Sequence, residues 1–271
     1  MSQVKAFPAM PTTATRRLPL LDDPEVSFTQ IEDIIRYDPG LTANILKLTN
    51  SAYFGIPIKV HSVRQAMSLL GWKRLTQLVM TLCMSSLMNK SVPGYDLPQG
   101  ELWRHSIAVS LAAENIVKAL NIPDADEVFT AALLHDVGKL ILGGFVKKDI
   151  EFIENMVAKG FSFDVAEHII LGTDHAEVGA NILKQWSFPE ELVNAVSWHH
   201  NPEDCKNYCM LSDNVHLANN LGQIIGAGRN SKESQSELSM AVTEKLGFKP
   251  VDLEEIARQT LKGVNKLAQV L

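Results

Sequence analysis

Residues 131–140 read AALLHDVGKL, an apolar helical run into which His135, Asp136 and Lys139 are set. A chain that buries this segment must bring polar partners to it, because imidazole nitrogens and a carboxylate held away from water need hydrogen bonds, a counter-charge or a metal. Distant parts of the sequence must therefore converge on residues 135–139. No other stretch constrains the fold as strongly.

The flanking sequence supplies candidates, and they sit on helical patterns. His105 is followed at helical intervals by Val109, Ala112 and Ile116, and His175 by Gly179, Ile182 and Trp186, which sets each imidazole on the same side as apolar residues. Helix starts are marked by Ser27 with Gln30, by Asp38 before Pro39, by Ser62 with Gln65, by Asp174 with Glu177 and by Asp252 with Glu255. Leu41, Ile45 and Leu48 mark one apolar face, NSAYFG suits a helix end, and Gly71 interrupts a helix before LTQLVMTLCM resumes. Ile256, Leu261, Val264 and Leu267 share an apolar side of a final helix. Strand signals are weak, so the expected class is all-α. The expected organisation is a flexible tail over 1–17, a helical part over 18–90, a linker over 91–101, a second helical part over 102–225 and a helical extension over 226–271.

Composition narrows the function classes. A net charge of -6 and a pI near 5.8 give no general footprint for nucleic acid or an anionic membrane. Arg64, Lys73 and Arg74 flank Gly71 in a helix-turn-helix-like spacing, but LTQLVMTLCM is too apolar to read bases, and core packing is the expectation. The opening residues have neither a signal-peptide pattern nor a membrane-spanning run, and Cys83, Cys205 and Cys209 make no disulfide framework, so the expected setting is cytoplasmic, with no specific nucleic acid and no membrane partner. Cys205 and Cys209 lack the remaining ligands of a regular zinc motif. His168 rivals His175 across the IILGTD connection, and the start signal at Asp174 favours His175, while His216 is a supporting candidate behind the ligands.

The order H, HD, H, HH, D, carried by His105, His135 with Asp136, His175, His199 with His200, and Asp213, resembles the metal-dependent HD phosphohydrolase superfamily. IIRYDPGLTANILKLTNSAYFG followed by SVRQAMSLLGWKRL is similar to its signalling-associated HDOD branch, over about residues 18–225. The resemblance implies an HD-like helical bundle packed against an amino-terminal helical subdomain. It implies one metal held by His105, His135, Asp136 and Asp213, and another by Asp136, His175, His199 and His200, with Asp136 bridging. One or two divalent ions are expected, iron or manganese ahead of zinc or nickel. Asp136 and Lys139 are the expected catalytic residues, Lys139 meeting a substrate phosphate. The implied partners are a phosphate-containing small molecule or nucleotide and a signalling protein. After WHH the chain reads NPEDCKNYCM, without the glycine-tyrosine-proline segment of the cyclic-di-nucleotide phosphodiesterases, which argues against cyclic-di-GMP hydrolysis.

Overall fold

A computed structural model describes residues 32, 35, 38–122, 127–207, 209–227 and 239–268. Its regular elements are helical, with only an isolated antiparallel bridge between Val92 and Leu97 outside them. In chain order they are α1 (Pro39–Thr49), α2 (Val63–Met88), a 3-10 turn (Pro93–Tyr95), α3 (Glu101–Ala119), α4 (Glu127–Leu134), α5 (Lys139–Ala158), α6 (Phe163–Leu171), α7 (His175–Gln185), α8 (Glu190–Ser197), a 3-10 turn (Pro202–Asp204), α9 (Cys209–Ile224), α10 (Met240–Lys245) and α11 (Pro250–Ala268). Packing divides them into two compact units, one built from described residues 88–261 and the other from those up to 87 together with 262–268. The tail expected over 1–17 and the cap expected at Ser27 lie outside the described residues.

In the smaller unit the local signals act as the sequence suggests. Asp38 caps α1 by accepting from the Leu41 N–H at 2.9 Å, and Pro39 opens the helix. Leu41, Ile45 and Leu48 are buried. Asn50 ends α1, and its amide clasps Val60 through two bonds of 2.8 Å, closing the NSAYFG loop. The cap at Ser62 forms, but Gln65 reaches the N–H of His61 where a capping box would use that of Ser62. Gly71, at φ 75°, breaks α2. Leu75, Leu78, Val79, Met80, Cys83 and Met84 beyond it are all buried, so the LTQLVMTLCM face is committed to a core.

The larger unit is organised around α4. Its sequence EVFTAALL is apolar on nearly every side, and α3, α8 and α9 pack around it. The stretch Glu127–Ala158 is long and apolar enough to cross a membrane, yet 72% of its most apolar window is buried inside this protein. That run is broken between Leu134 and Lys139, and the break is where His135 and Asp136 sit. The segment 91–101, expected as a linker, folds into the core of this unit: Val92, Tyr95 and Leu97 are buried, and the Pro93–Tyr95 turn packs on α5. α11 begins at Pro250, with the Asp252 carboxylate accepting from the N–H of Lys249. Leu253 and Ile256 are buried on the part of α11 in this unit and Val264 and Leu267 on the part in the smaller unit, whereas Leu261, expected with them, is 43% exposed.

Candidate metal centre

His135 and Asp136 follow the last residue of α4, in a turn that Gly138 presses against the start of α7. A Cβ on Gly138 would lie 1.9 Å from the His175 carbonyl oxygen and 2.7 Å from the Gly179 nitrogen, so only glycine allows this approach. The contact puts His175, first residue of α7, beside Asp136. α3 brings His105 from one side, and the end of α8 brings His199 and His200 from the other. The result is two abutting groups of metal-type donors, His105 with His135 and Asp136, and His175 with His199 and His200, each group with its donor atoms within 4.8 Å of one another.

Asp136 joins the two. Its Oδ2 is 3.4 Å from His135 Nε2 and 3.5 Å from His105 Nε2, and its Oδ1 is 3.5 Å from His175 Nε2 and 3.9 Å from His199 Nε2. Metal bonds of about 2.1 Å at ordinary coordination angles leave neighbouring donor atoms roughly 3.0–3.5 Å apart, which three of these four spacings match. The ring tautomers agree. His135 Nδ1 donates to the Ala132 carbonyl and His199 Nδ1 to the Val196 carbonyl, both at 2.7 Å, which turns each Nε2 lone pair inward. His135 Nε2, Asp136 Oδ1 and His199 Nε2 are buried without any hydrogen-bond partner. Three orphaned donors of metal-binding type at one centre are what a cation-binding site requires.

Six of the expected ligands therefore meet, and Asp213 stands in neither group. It is buried on α9, where its Oδ2 accepts from Lys245 Nζ of α10 at 2.6 Å. Asn219, also on α9, faces His105 instead, its side-chain oxygen 3.0 Å from Nε2. Lys139 is 5% exposed and its ammonium donates to Asp136 Oδ2 at 2.9 Å, so it points inward where a substrate-facing side chain was expected. Sequence reasoning passed over Glu167 and Tyr95. Both Nδ1 and the backbone N–H of His175 donate to Glu167 Oε2, at 2.6 Å and 3.0 Å, and the Tyr95 hydroxyl donates to Glu167 Oε1. His168, by contrast, is exposed, and it pairs at 3.3 Å with Asp174, the cap of α7. His216 braces the ligand loop by donating from Nδ1 to the His199 carbonyl at 2.8 Å. Cys205 donates to the Asn207 carbonyl and belongs to no metal-type group among the described residues.

The family model of the HDOD domain matches residues 7–202, most of the chain. The chain belongs to the HDOD domain family. The match contains every ligand candidate except Asp213. An HDOD domain protein of unknown function from Geobacter sulfurreducens is 26% identical in sequence, with a TM-score of 0.76 over 99% of this chain and 90% of that one. A candidate phosphohydrolase from Shewanella amazonensis SB2B shares the fold at 24% identity, with a TM-score of 0.76 over 98% of this chain and 97% of that one. An uncharacterised protein of Treponema pallidum (strain Nichols) is 24% identical over 223 residues, which is 80% of this chain and 42% of that relative. The chain thus spans less than half the length of this curated relative.

The HDOD centre has an uneven charge distribution. Burial lowers His105 from 6.5 to about 4, and it holds His199 and His200 well below the usual imidazole range, so all three are neutral at pH 7. At His175 burial is opposed by the Glu167 carboxylate, which wins and raises the imidazole to about 9. Asp136 is also opposed by burial, yet the Lys139 ammonium beside it keeps its carboxyl well below the usual carboxylate range. The centre presents a fixed anion, neutral imidazoles and one imidazolium whose Nε2 is 2.7 Å from that of His200.

Proposed function

We propose that this HDOD protein is a metal-dependent phosphoester hydrolase of cytoplasmic signalling, acting on a phosphate-bearing small molecule or nucleotide. The observation that carries the reading is the convergence of the unpartnered, buried His135 Nε2, Asp136 Oδ1 and His199 Nε2. His175 and His200 complete the donor set, which suits a transition ion better than the all-oxygen cages of calcium or magnesium. A divalent ion held there supplies a Lewis acid that lowers the pKa of water and polarises a phosphoryl oxygen. Glu167 fixes the ring of His175, Ala132 and Val196 fix those of His135 and His199, and Asp136 provides the negative charge. Lys139 adds a cation beside that charge. His200 is half-buried where His105, His135, Asp136, His175 and His199 are buried, which supports an approach to the centre from its side.

A second reading, a regulatory module without turnover, draws on the ion pair between Lys139 and Asp136: an ammonium that neutralises the carboxylate lets the bundle stand without bound metal. One experiment separates the two. Protein reconstituted with Mn²⁺, Fe²⁺ or Zn²⁺ is assayed on phosphomonoesters, nucleotides and cyclic nucleotides beside a His135→Ala, Asp136→Asn double variant. Hydrolysis lost in the double variant supports the hydrolase. Metal-loaded wild type with no turnover above that control leaves the regulatory module.

A further inference from the structure

We propose that the Lys139 ammonium stands in for one of the two metal ions, so that the centre takes a single divalent ion, on the Oδ1 side of Asp136. The inference rests on the reading of this site as a metal centre and fixes its stoichiometry. The two oxygens of Asp136 are in opposite situations. Oδ2 accepts from Lys139 Nζ at 2.9 Å on the side of His135 and His105, whereas Oδ1 accepts nothing and faces His175 and His199. The carboxylate that two ions would have to share is therefore already occupied at one end by a buried cation.

The rest of the His105 side has the same character. His105 Nδ1 lies 2.9 Å from the Ala227 carbonyl. Nε2 is engaged as well, 3.0 Å from the Asn219 side-chain oxygen. Asn219 is neutral, and Asp213, the one acid on α9 that could have supplied charge, is bound to Lys245. This half of the centre thus offers an ion the unpartnered His135 Nε2, one engaged imidazole, one engaged carboxylate oxygen and, among the described residues, no second anion, with an ammonium beside them. A second divalent ion here meets a like charge without the carboxylate needed to offset it. The other half has the unpartnered Oδ1 and His199 Nε2, with His175 and His200 adjacent.

Metal counting on the full chain tests this directly. Purified protein is loaded with excess Mn²⁺, desalted, and its metal measured by plasma mass spectrometry against protein concentration, alongside Lys139→Met and Lys139→Met/Asn219→Asp. Wild type is expected to hold about one ion per chain, and the double variant about two. The low-temperature electron paramagnetic resonance spectrum of Mn²⁺-saturated wild type is expected to be the six-line signal of isolated ions, a readout that needs no variant to fold. A coupled two-manganese spectrum, or about two ions per wild-type chain, overturns the proposal while leaving the metal centre standing. A folded double variant that still holds about one ion overturns the role given to Lys139. Wild type that retains no ion overturns the metal reading itself, and the stoichiometry with it.

Discussion

Glu167 holds His175 twice through one oxygen, accepting from its ring Nδ1 at 2.6 Å and from its backbone N–H at 3.0 Å, while the other oxygen is tied to Tyr95. The pair orients the imidazole and raises its basicity from behind, which is the usual function of a carboxylate placed after a metal-binding histidine. Glu167→Gln keeps an acceptor but removes the charge. It is expected to weaken Zn²⁺ or Mn²⁺ binding by about 10- to 100-fold, with Tyr95→Phe weaker in effect, measured by competition with a chromogenic chelator. Unchanged affinity in folded Glu167→Gln would show that the carboxylate serves folding alone.

Replacing Asp136 with Asn removes the anion of the centre and also strips Lys139 of its counter-charge. A buried ammonium left unpaired costs ~3–5 kcal/mol, so Asp136→Asn is expected to lose metal and to melt well below wild type. Asp136→Asn/Lys139→Met is expected to recover much of the stability and none of the metal. Thermal denaturation and metal content of the three proteins check both halves. A single variant as stable as wild type would mean that the ion pair is not formed in solution.

The histidines give the metal-free protein a stability maximum. His105 has a folded pKa near 4 against 6.5 in the unfolded chain, so its contribution is present above pH 6.5 and is lost as the pH falls towards 4. His175 is shifted the other way, to about 9, so its contribution is full below pH 6.5 and is lost as the pH rises through 9. Each is worth on the order of 3 kcal/mol at its best. In the presence of a chelator the melting temperature should peak near neutral pH and fall on both sides, and the alkaline fall should vanish in Glu167→Gln. Melting curves in a buffer series decide it, and a profile flat from about pH 5 to 9 contradicts the assigned charges.

The fold class was legible because caps and apolar periods are local. Asp38 and Asp174 cap helices by reaching three residues ahead, and no tertiary information is needed to see that. The ligand order was legible because it is a matter of residue type along the chain. What escaped depended on facing. Asp213 and Asn219 are six residues apart on α9; at about 100° per residue their side chains leave the helix roughly 120° apart, and Asn219 faces His105 while Asp213 pairs with Lys245. Residue type favoured the aspartate, and packing against α3 presents the asparagine. Glu167 was hidden for the opposite reason. It bonds a histidine across a helix connection, and its neighbour His168, the more conspicuous residue type, points outward. Lys139 was read from its spacing to Asp136, which is correct for an ion pair and does not reveal that the ammonium is buried by it.

Gly138 and Gly222 distinguish two kinds of tight contact near the centre. At Gly138 an added Cβ meets backbone atoms of α7, 1.9 Å from the His175 carbonyl oxygen, and neither side can yield without moving the turn that carries His135 and Asp136. At Gly222 the added Cβ meets the tip of Val109 at 2.9 Å and the His105 ring at 3.6 Å, side-chain atoms that rotate or shift by a few tenths of an ångström. Overpacking of the second kind costs ~1–3 kcal/mol, and Gly222→Ala is expected to fall in that range with the metal retained. Gly138→Ala is expected to exceed it and to lower metal affinity at the same time, because the strain is relieved only by separating Asp136 from His175. Chemical denaturation paired with metal titration of both variants tests the contrast. Equal losses in the two, or full metal affinity in folded Gly138→Ala, would mean that the turn and α7 are not held together as closely as this geometry requires.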